Sequence, residues 1–197
     1  MNTQKTKMMR TITIVYLHGY NGVNSTKGKS LAEHFSDYTV LTPEIPLNPT
    51  EALEQLDALI DSLVAPNNAI YLVGSSLGGW YAFYLSVRYD LPVFLINPSL
   101  TPWVSLAGTI PDEYLQTFKK VDYGKASGFT EEIVNAFIAK DDELLNHEQT
   151  IQMFENIRTL ELYDGVGHRF TKFKKYVIPE IERVIKEDLQ EDVNDDE

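Results

Sequence analysis

The chain has 197 residues, a length that fits one domain with a buried core, and a hydrophobic fraction of 43% that is ordinary for a globular protein. It contains no cysteine, which excludes disulfides, thiolate metal sites and cysteine nucleophiles. The formal net charge of −12 repels phosphate backbones, so nucleic acid is not an expected partner. The same charge disfavours polyanionic substrates unless a locally basic pocket overrules it.

The two ends of the chain are predicted to lie outside the core. The N-terminal residues are basic, but the apolar run after them is too short and too alternating for a signal peptide. The last residues are strongly acidic, which is typical of a solvated tail. No stretch approaches the ~18 apolar residues that cross a bilayer. We therefore expect a single cytoplasmic domain over 1–197 with flexible ends at 1–10 and 188–197 and no membrane partner.

Short β-branched apolar runs alternate along the chain with longer amphipathic stretches. Nearly continuous apolar runs are typical of strands buried on both faces of a parallel sheet. The six predicted strands are Thr11–Leu17, Tyr38–Thr42, Ala69–Val73, Pro92–Ile96, Ile133–Ala139 and Thr159–Tyr163. The predicted helices are Thr50–Leu63 with Thr50 as its N-cap, Leu77–Arg88, His147–Ile157 and Phe173–Glu187. This order predicts a doubly wound α/β fold with about six mostly parallel strands flanked by helices.

One long connection interrupts this alternation. Residues 97–130 join two predicted strands and are rich in Pro, Gly and aromatic residues. Loops of this length inside a compact domain are usually functional or form a small cap. The sequence leaves both possibilities open for this link.

The sequence around Ser76 predicts a nucleophile. Predicted strand Ala69–Val73 runs directly into GSSLGG at 74–79, which contains the G-x-S-x-G pattern, and a helical stretch follows. In this pattern the serine sits on a sharp, strained turn between strand and helix, where neighbouring side chains would clash and glycine is needed. The alternative is a glycine-rich turn that only packs a helix onto a sheet.

Two backbone N–H groups are candidates for an oxyanion hole. In folds with this nucleophile turn, one donor follows the nucleophile and the other comes from the loop after an early strand. These donors correspond here to the N–H groups of Leu77 and Tyr20, the latter in the His18-Gly19-Tyr20 loop. Gly19 would let the backbone approach a substrate closely. His18 itself is expected to be a structural loop residue.

Among the four histidines, His168 is the candidate base. It lies on a glycine-rich loop after the last predicted strand, which fits the chain order Ser…Asp…His. An unperturbed imidazole titrates near ~6.5 and can accept a serine proton near neutral pH. His34 is expected at the surface of a polar helix, and His147 is interpreted as a bystander at the start of a helix.

The candidate acid follows the preceding strand, where Asp141, Asp142 and Glu143 stand together. We favour Asp142 because apolar residues follow it and could pack the loop, with Asp141 as the alternative. The remaining carboxylates are expected to be solvated. The task of such an acid is to fix the tautomer of the histidine and to stabilise the imidazolium.

These motifs resemble those of the YqiA/YcfP-type small bacterial esterases of the α/β-hydrolase superfamily, compact enzymes with little or no lid. The resemblance extends from about Thr11 to Ile185, and its most specific part is the nucleophile segment followed by aromatic residues. The stretches that carry it are YLHGYN at 16–21, STK at 25–27, PEIP at 43–46, VGSSLGGWYA at 73–82, NP at 97–98, DELL at 142–145 and GHRF at 167–170.

The resemblance implies a carboxylesterase for short acyl esters, with thioesterase activity on acyl-CoA. The chain departs from the family at Asp141, where a glycine commonly precedes the acid, and along 101–130, where little similarity remains beyond Pro102 and Trp103. The choice of substrate is therefore not carried over by the resemblance.

We predict a serine hydrolase that acts on a small-molecule ester or thioester and needs no metal or cofactor. Trp80, Tyr81, Trp103 and Phe170 are candidates for pocket walls, although large aromatic residues more often serve packing. One alternative is a hydrolase of the retinoblastoma-binding-protein-like type with the same triad and an unknown or peptide-derived substrate. Another is a non-catalytic α/β-hydrolase scaffold that binds a small molecule or a protein.

Overall fold

The fold is built on one sheet of six parallel strands. The computed structural model describes residues 10–22, 25–121 and 129–194. In that part of the chain the strand order is β2-β1-β3-β4-β5-β6, with every neighbouring pair parallel. All six predicted strands are confirmed with small changes at their ends. They are β1 (Thr11–Leu17), β2 (Thr39–Leu41), β3 (Asn68–Ser75), β4 (Val93–Ile96), β5 (Val134–Ala139) and β6 (Thr159–Tyr163).

Seven α-helices accompany the sheet in the described residues, and a 3₁₀ turn at Glu131–Ile133 leads into β5. The four predicted helices are all present, although α6 is shorter than its prediction and α7 longer. No helix in these residues is both long enough and apolar enough to span a bilayer. The helices are α1 (Thr26–His34), α2 (Pro49–Leu63), α3 (Leu77–Tyr89), α4 (Pro102–Ser105), α5 (Asp112–Lys120), α6 (Glu148–Met153) and α7 (Phe173–Asn194).

The strands bury both faces, and this explains their continuous apolar runs. Successive side chains of a strand point to opposite sides of a sheet. In β1, Ile14 and Tyr16 accordingly pack with residues of α1 and α7, whereas Val15 and Leu17 pack with residues of α2, α3 and α5. The helices therefore cover the sheet in two layers, one on each face.

The link at 97–130 is more ordered than its composition suggested. It contains α4 and α5, and Leu115 and Phe118 of α5 are buried in the core. Residues 122–128 of the link lie outside the described residues. Helix α5 was not predicted because its apolar pattern in the sequence is short, with only two buried positions.

The helix predicted to end at Glu187 continues to Asn194, so the first part of the predicted tail is helical. Arg158, between α6 and β6, donates a hydrogen bond of 2.9 Å to Asp188 and another of 2.9 Å to Glu187. The contact with Asp188 fixes the first residue of the stretch that composition assigned to solvent. The ends predicted as flexible at 1–9 and 195–197 lie outside the described residues.

The N-cap of α2 is Asn48 rather than Thr50, so that prediction is also wrong. The side-chain oxygen of Asn48 accepts a hydrogen bond of 3.0 Å from the N–H of Thr50, and Pro49 occupies the first helical position. A proline there has no N–H to leave unsatisfied. The sequence therefore held a capping signal two residues before the one that we chose.

Replacing the cap should weaken α2. We expect Asn48→Ala to lower the free energy of unfolding by about 1 kcal/mol, because the N–H of Thr50 loses its acceptor. Thr50→Ala is the matched control and should change stability less, since Thr50 is exposed and lies inside the helix. Urea denaturation of both variants measures the difference. A larger loss for Thr50→Ala would contradict the assignment of the cap.

Candidate active site

The candidate site lies at the edge of the sheet where the parallel strands end. The chain leaves β1 for the edge strand β2 and then returns past β1 to form β3, so the order of the strands reverses between β1 and β3. Ligands of open α/β sheets bind at such switch points, beyond the carboxyl ends of the strands. The loop of His18 follows β1, and Ser76 follows β3.

Ser76 has a strained backbone, with φ 54° and ψ −121°, a conformation that non-glycine residues rarely adopt. Its N–H donates to the carbonyl oxygen of Ile96, and its own carbonyl oxygen accepts from the N–H groups of Gly79 and Ser99. These bonds, of 2.9 to 3.0 Å, hold the turn between β3 and α3 in place. The predicted turn between strand and helix is therefore present.

Two glycines allow the turn to pack closely. A Cβ at Gly78 would overlap with the carbonyl oxygen of Leu17, so α3 could not approach β1 with any larger residue there. A Cβ at Gly19 would lie 3.1 Å from the Cβ of Ser76, tighter than ordinary van der Waals contact. Glycine at position 19 thus keeps the space beside the Ser76 hydroxyl open.

The structure brings Ser76, His168 and Asp142 into one line of hydrogen bonds. The Nε2 atom of His168 lies 3.1 Å from Ser76 Oγ, and its Nδ1 atom lies 2.9 Å from Asp142 Oδ2. Because an ionised carboxylate can only accept, Nδ1 carries the proton and Nε2 is free to accept from the Ser76 hydroxyl. His168 and Ser76 are 92 residues apart in the chain.

Asp142 is a carboxylate that the fold keeps ionised. Its side chain is 1% exposed. Burial alone raises the pKa of its carboxyl, but hydrogen bonds from His147, His168 and the N–H groups of Leu144 and Leu145 outweigh burial and lower that pKa. Of the two apolar residues that led us to Asp142, Leu144 does not pack the loop, because its side chain is 68% exposed and only its backbone contacts Asp142.

Asp141 and Glu143, on either side of Asp142, accept hydrogen bonds from the backbone of the loop that carries His168. Asp141 accepts hydrogen bonds of 3.2 to 3.3 Å from the N–H groups of Val166 and Gly167, and Glu143 accepts one of 2.9 Å from the N–H of His168. These bonds lower the pKa of both carboxyls. Asp141 and Glu143 are exposed, as expected for the two remaining carboxylates, and each also accepts hydrogen bonds from the backbone of the His168 loop.

His147 is the functional candidate that sequence reasoning missed. Its Nε2 atom donates to Asp142 Oδ2 over 2.8 Å, and its side chain is 5% exposed. Burial lowers its pKa, although the nearby carboxylate of Asp142 opposes that effect, so His147 is neutral at neutral pH. His168 and His147 thus share the oxygen Oδ2 of Asp142. The only signal in the sequence is the spacing of five residues from the acid, which predicts no contact by itself.

His18 orients the peptide group between Gly19 and Tyr20. Its Nδ1 atom donates to the carbonyl oxygen of Gly19 over 2.7 Å, and the N–H of Gly22 donates to the same oxygen over 2.9 Å. The carbonyl and the N–H of a planar trans peptide point in opposite directions, so the N–H of Tyr20 faces away from these bonds. Within the described residues this N–H and that of Leu77 make no hydrogen bond.

Asn97 joins the loops that follow β5 and β6. It is fully buried and has a positive φ of 43°. Its side-chain oxygen accepts a hydrogen bond of 2.7 Å from the N–H of Ala139, and its amide nitrogen donates to the carbonyl oxygens of Gly167 and His168 over 3.1 and 3.0 Å. One side chain therefore fixes the ends of both segments that carry Asp142 and His168.

An open cleft of about 670 Å³ surrounds Ser76 and His168. The link contributes Ser105, Leu106 and Thr109 to its wall. Among the described residues no group of three or more metal-ligating side chains is placed to hold a metal ion. None of the four predicted wall aromatics lines the cleft: Trp80, Tyr81 and Phe170 are buried, and Trp103 packs partly buried against the core.

Comparisons with known proteins agree with this architecture. A model of "Uncharacterised protein family (UPF0227)" matches residues 13–185. A UPF0227 protein of Pectobacterium atrosepticum and the UPF0227 protein YcfP of Escherichia coli are each 24% identical to this chain over 180 residues. Each alignment covers 87% of this chain and 96% of the relative. The similarity to YcfP confirms the resemblance that the motifs indicated.

Solved structures confirm the α/β-hydrolase fold. Est1E from Butyrivibrio proteoclasticus, with ferulic acid bound, has a TM-score of 0.69 at 14% identity over 98% of this chain and 94% of its own. Mouse alpha/beta hydrolase domain-containing protein 10 has a TM-score of 0.62 at 14% identity over 92% and 90%. At such low identity the likeness shows the fold alone.

Removing the second histidine should change the titration of Asp142. We expect His147→Phe to raise the pKa of the Asp142 carboxyl, because one of the donors that lower it is lost. The stability that this carboxylate contributes is present above its unfolded pKa and is lost as the pH falls through its folded pKa, so in the variant the contribution should be smaller and its loss should be complete at a higher pH. Carboxyl carbon NMR titration, assigned with Asp142→Asn, measures the shift.

The matched control is His34→Phe, which removes an exposed histidine that lies 3.3 Å from Glu182. That variant should leave the Asp142 titration unchanged. An unchanged titration in His147→Phe as well would show that His147 does not support the carboxylate.

Proposed function

This chain belongs to the UPF0227 family, and from that membership and the geometry at Ser76 we propose that it is a serine hydrolase of carboxylic esters or thioesters. The observation that carries the proposal is the continuous line of hydrogen bonds from Ser76 through His168 to the buried carboxylate of Asp142. This line lies in an open cleft, at the position where the fold places ligands. Nucleophile, base and orienting acid are the parts that acyl transfer requires.

In the proposed first step, Ser76 Oγ attacks the carbonyl carbon of the substrate while its proton passes to Nε2 of His168. The N–H groups of Tyr20 and Leu77 stabilise the oxyanion that forms, and each such donor is typically worth ~3 kcal/mol in the transition state. His168 then gives the proton to the oxygen or sulfur of the leaving group. The carbon–leaving-group bond breaks, and the acyl group remains on Ser76.

In the second step, His168 takes a proton from water, and the hydroxide oxygen attacks the acyl-enzyme. The tetrahedral intermediate collapses, the acid is released, and Ser76 regains its proton from His168. Asp142 keeps the imidazole in the tautomer with Nδ1 protonated and stabilises its cationic form. The reaction uses only groups of this chain and water, and a small-molecule substrate is its only required partner.

A serine-directed fluorophosphonate probe tests the proposal. We expect covalent labelling of the wild-type protein and none of Ser76→Ala, because Ser76 is the activated nucleophile. A panel of p-nitrophenyl esters and acyl-CoA thioesters of graded chain length should then give turnover that Ser76→Ala abolishes. Absence of labelling and turnover in the wild type would favour the non-catalytic scaffold, and labelling elsewhere would refute the role of Ser76.

The acid is tested by a pair of neighbouring substitutions. Asp142→Asn should lower kcat by about 10⁴-fold, because an amide can donate to Nδ1 and leave the proton on Nε2, where it faces Ser76. Asp141→Asn is the matched control and should change kcat by less than about tenfold, since Asp141 contacts only the backbone of the loop. Circular dichroism checks that both variants fold. The reverse ranking would transfer the role to Asp141.

A further inference from the structure

The charged side chains that line the cleft of Ser76 are of one sign. Lys27, in the first turn of α1, and Arg169, next to His168, both line it. No carboxylate of the described residues lines the same cleft, although the chain contains 29 acidic and only 17 basic residues. The first turn of α1 also carries no acidic residue. The cleft is therefore basic in a protein whose net charge is −12.

Lys27 is held against the segment that carries Arg169. Nζ of Lys27 donates a hydrogen bond of 2.7 Å to the backbone oxygen of Arg169. Burial of Lys27, together with the charge of Arg169, lowers the pKa of Lys27 to about 8. Lys27 is thus still largely charged at neutral pH, and the fold tolerates an unfavourable proximity that a bound anion would relieve.

Both side chains keep hydrogen-bond donors available. Lysine has three donors and the guanidinium of arginine has five, and the only one of these in use among the described contacts is the Lys27 donor to the Arg169 backbone. Neither side chain forms an ion pair with a carboxylate of the described residues. Arg169 can therefore bind carboxylate or phosphate in the bidentate manner typical of guanidinium groups.

We propose that Lys27 and Arg169 form a subsite for an anionic group of the substrate, a carboxylate or a phosphate, placed away from the carbonyl that Ser76 attacks. The inference rests on the proposed function, and it narrows the substrate class to esters or thioesters that carry a negative charge. Lys27 has a second effect, because its bond to the Arg169 backbone also supports the loop of His168. Arg169 is the cleaner probe, since its substitution leaves that backbone oxygen in place.

Binding to the Ser76→Ala protein tests the subsite without turnover. The matched ligands are 4-butyryloxybenzoate and its neutral methyl ester, and calorimetry gives both dissociation constants. We expect the anion to bind about tenfold more tightly than the neutral ester, as one charge-assisted hydrogen-bonded pair at a half-exposed site allows. Arg169→Gln or Lys27→Gln in the Ser76→Ala background should remove most of that difference. The corresponding aryl phosphate distinguishes a phosphate site from a carboxylate site.

Lys172→Gln is the control, because Lys172 is an exposed cation on the same segment that does not line the cleft. It should leave the preference for the anion intact. In the enzyme with Ser76 present, the ratio of kcat/KM for the anionic ester to that for the neutral one should fall about tenfold in Arg169→Gln. Added salt of about 0.5 M should lower the ratio in the wild type but not in that variant.

Equal affinity for the two ligands, or no binding of either, would overturn the subsite. An equal loss for both ligands in the variants would assign Lys27 and Arg169 only to the support of the loop. These outcomes are separate from the proposed function, because a preference for the anion without turnover would refute the hydrolase and leave the subsite standing. Turnover of neutral esters without a preference for the anion would support the hydrolase and refute the subsite.

Discussion

The buried carboxylate of Asp142 is the group on which the arrangement of the site depends. A carboxylate removed from water must be hydrogen-bonded or it becomes neutral. Asp142 meets this requirement with donors from three places: the backbone of its own turn, His147 at the start of α6, and His168 after β6. The buried carboxylate therefore needs the imidazole of His168 as a donor, and the same hydrogen bond fixes the position of that imidazole. A loop that moved His168 away would also leave a buried charge short of partners.

The parallel sheet makes this constraint possible because it brings the carboxyl ends of its strands to one edge. The ends of β1 and β3 place the Tyr20 N–H and Ser76 side by side, and the segments after β5 and β6 supply Asp142 and His168. Asn97, after β4, ties the last two segments together through Ala139 N–H and two carbonyls. Its positive φ, like that of Ser76, is a strained conformation held by surrounding hydrogen bonds.

Features that depend on local sequence were predictable. A strand buried on both faces needs a continuous apolar run, and the glycines around Ser76 stand together in one short motif, so both leave a signal in a short window. His147 left no such signal. Its role comes from the hydrogen bond between its side chain and Asp142, and hydrophobic periodicity does not encode a contact of that kind. The extension of α7 past Glu187 left no signal for the same reason: acidic composition predicted solvent, whereas Arg158 of a distant segment hydrogen-bonds to Glu187 and Asp188. The cap of α2 was a local error, since Asn48 and Pro49 are both good signals.

The net charge of the chain and the charge of the cleft act on an anion over different distances. At physiological ionic strength charges more than about 8 Å apart in water are largely screened. The net charge of −12 therefore acts mainly on how an anion approaches the protein, while Lys27 and Arg169, which line the cleft itself, act on how tightly it is held. Composition argued against polyanionic substrates unless a pocket was locally basic, and Lys27 and Arg169 at the cleft provide such a local charge. A charge that is summed over the whole chain thus says little about a site whose own residues carry the opposite sign.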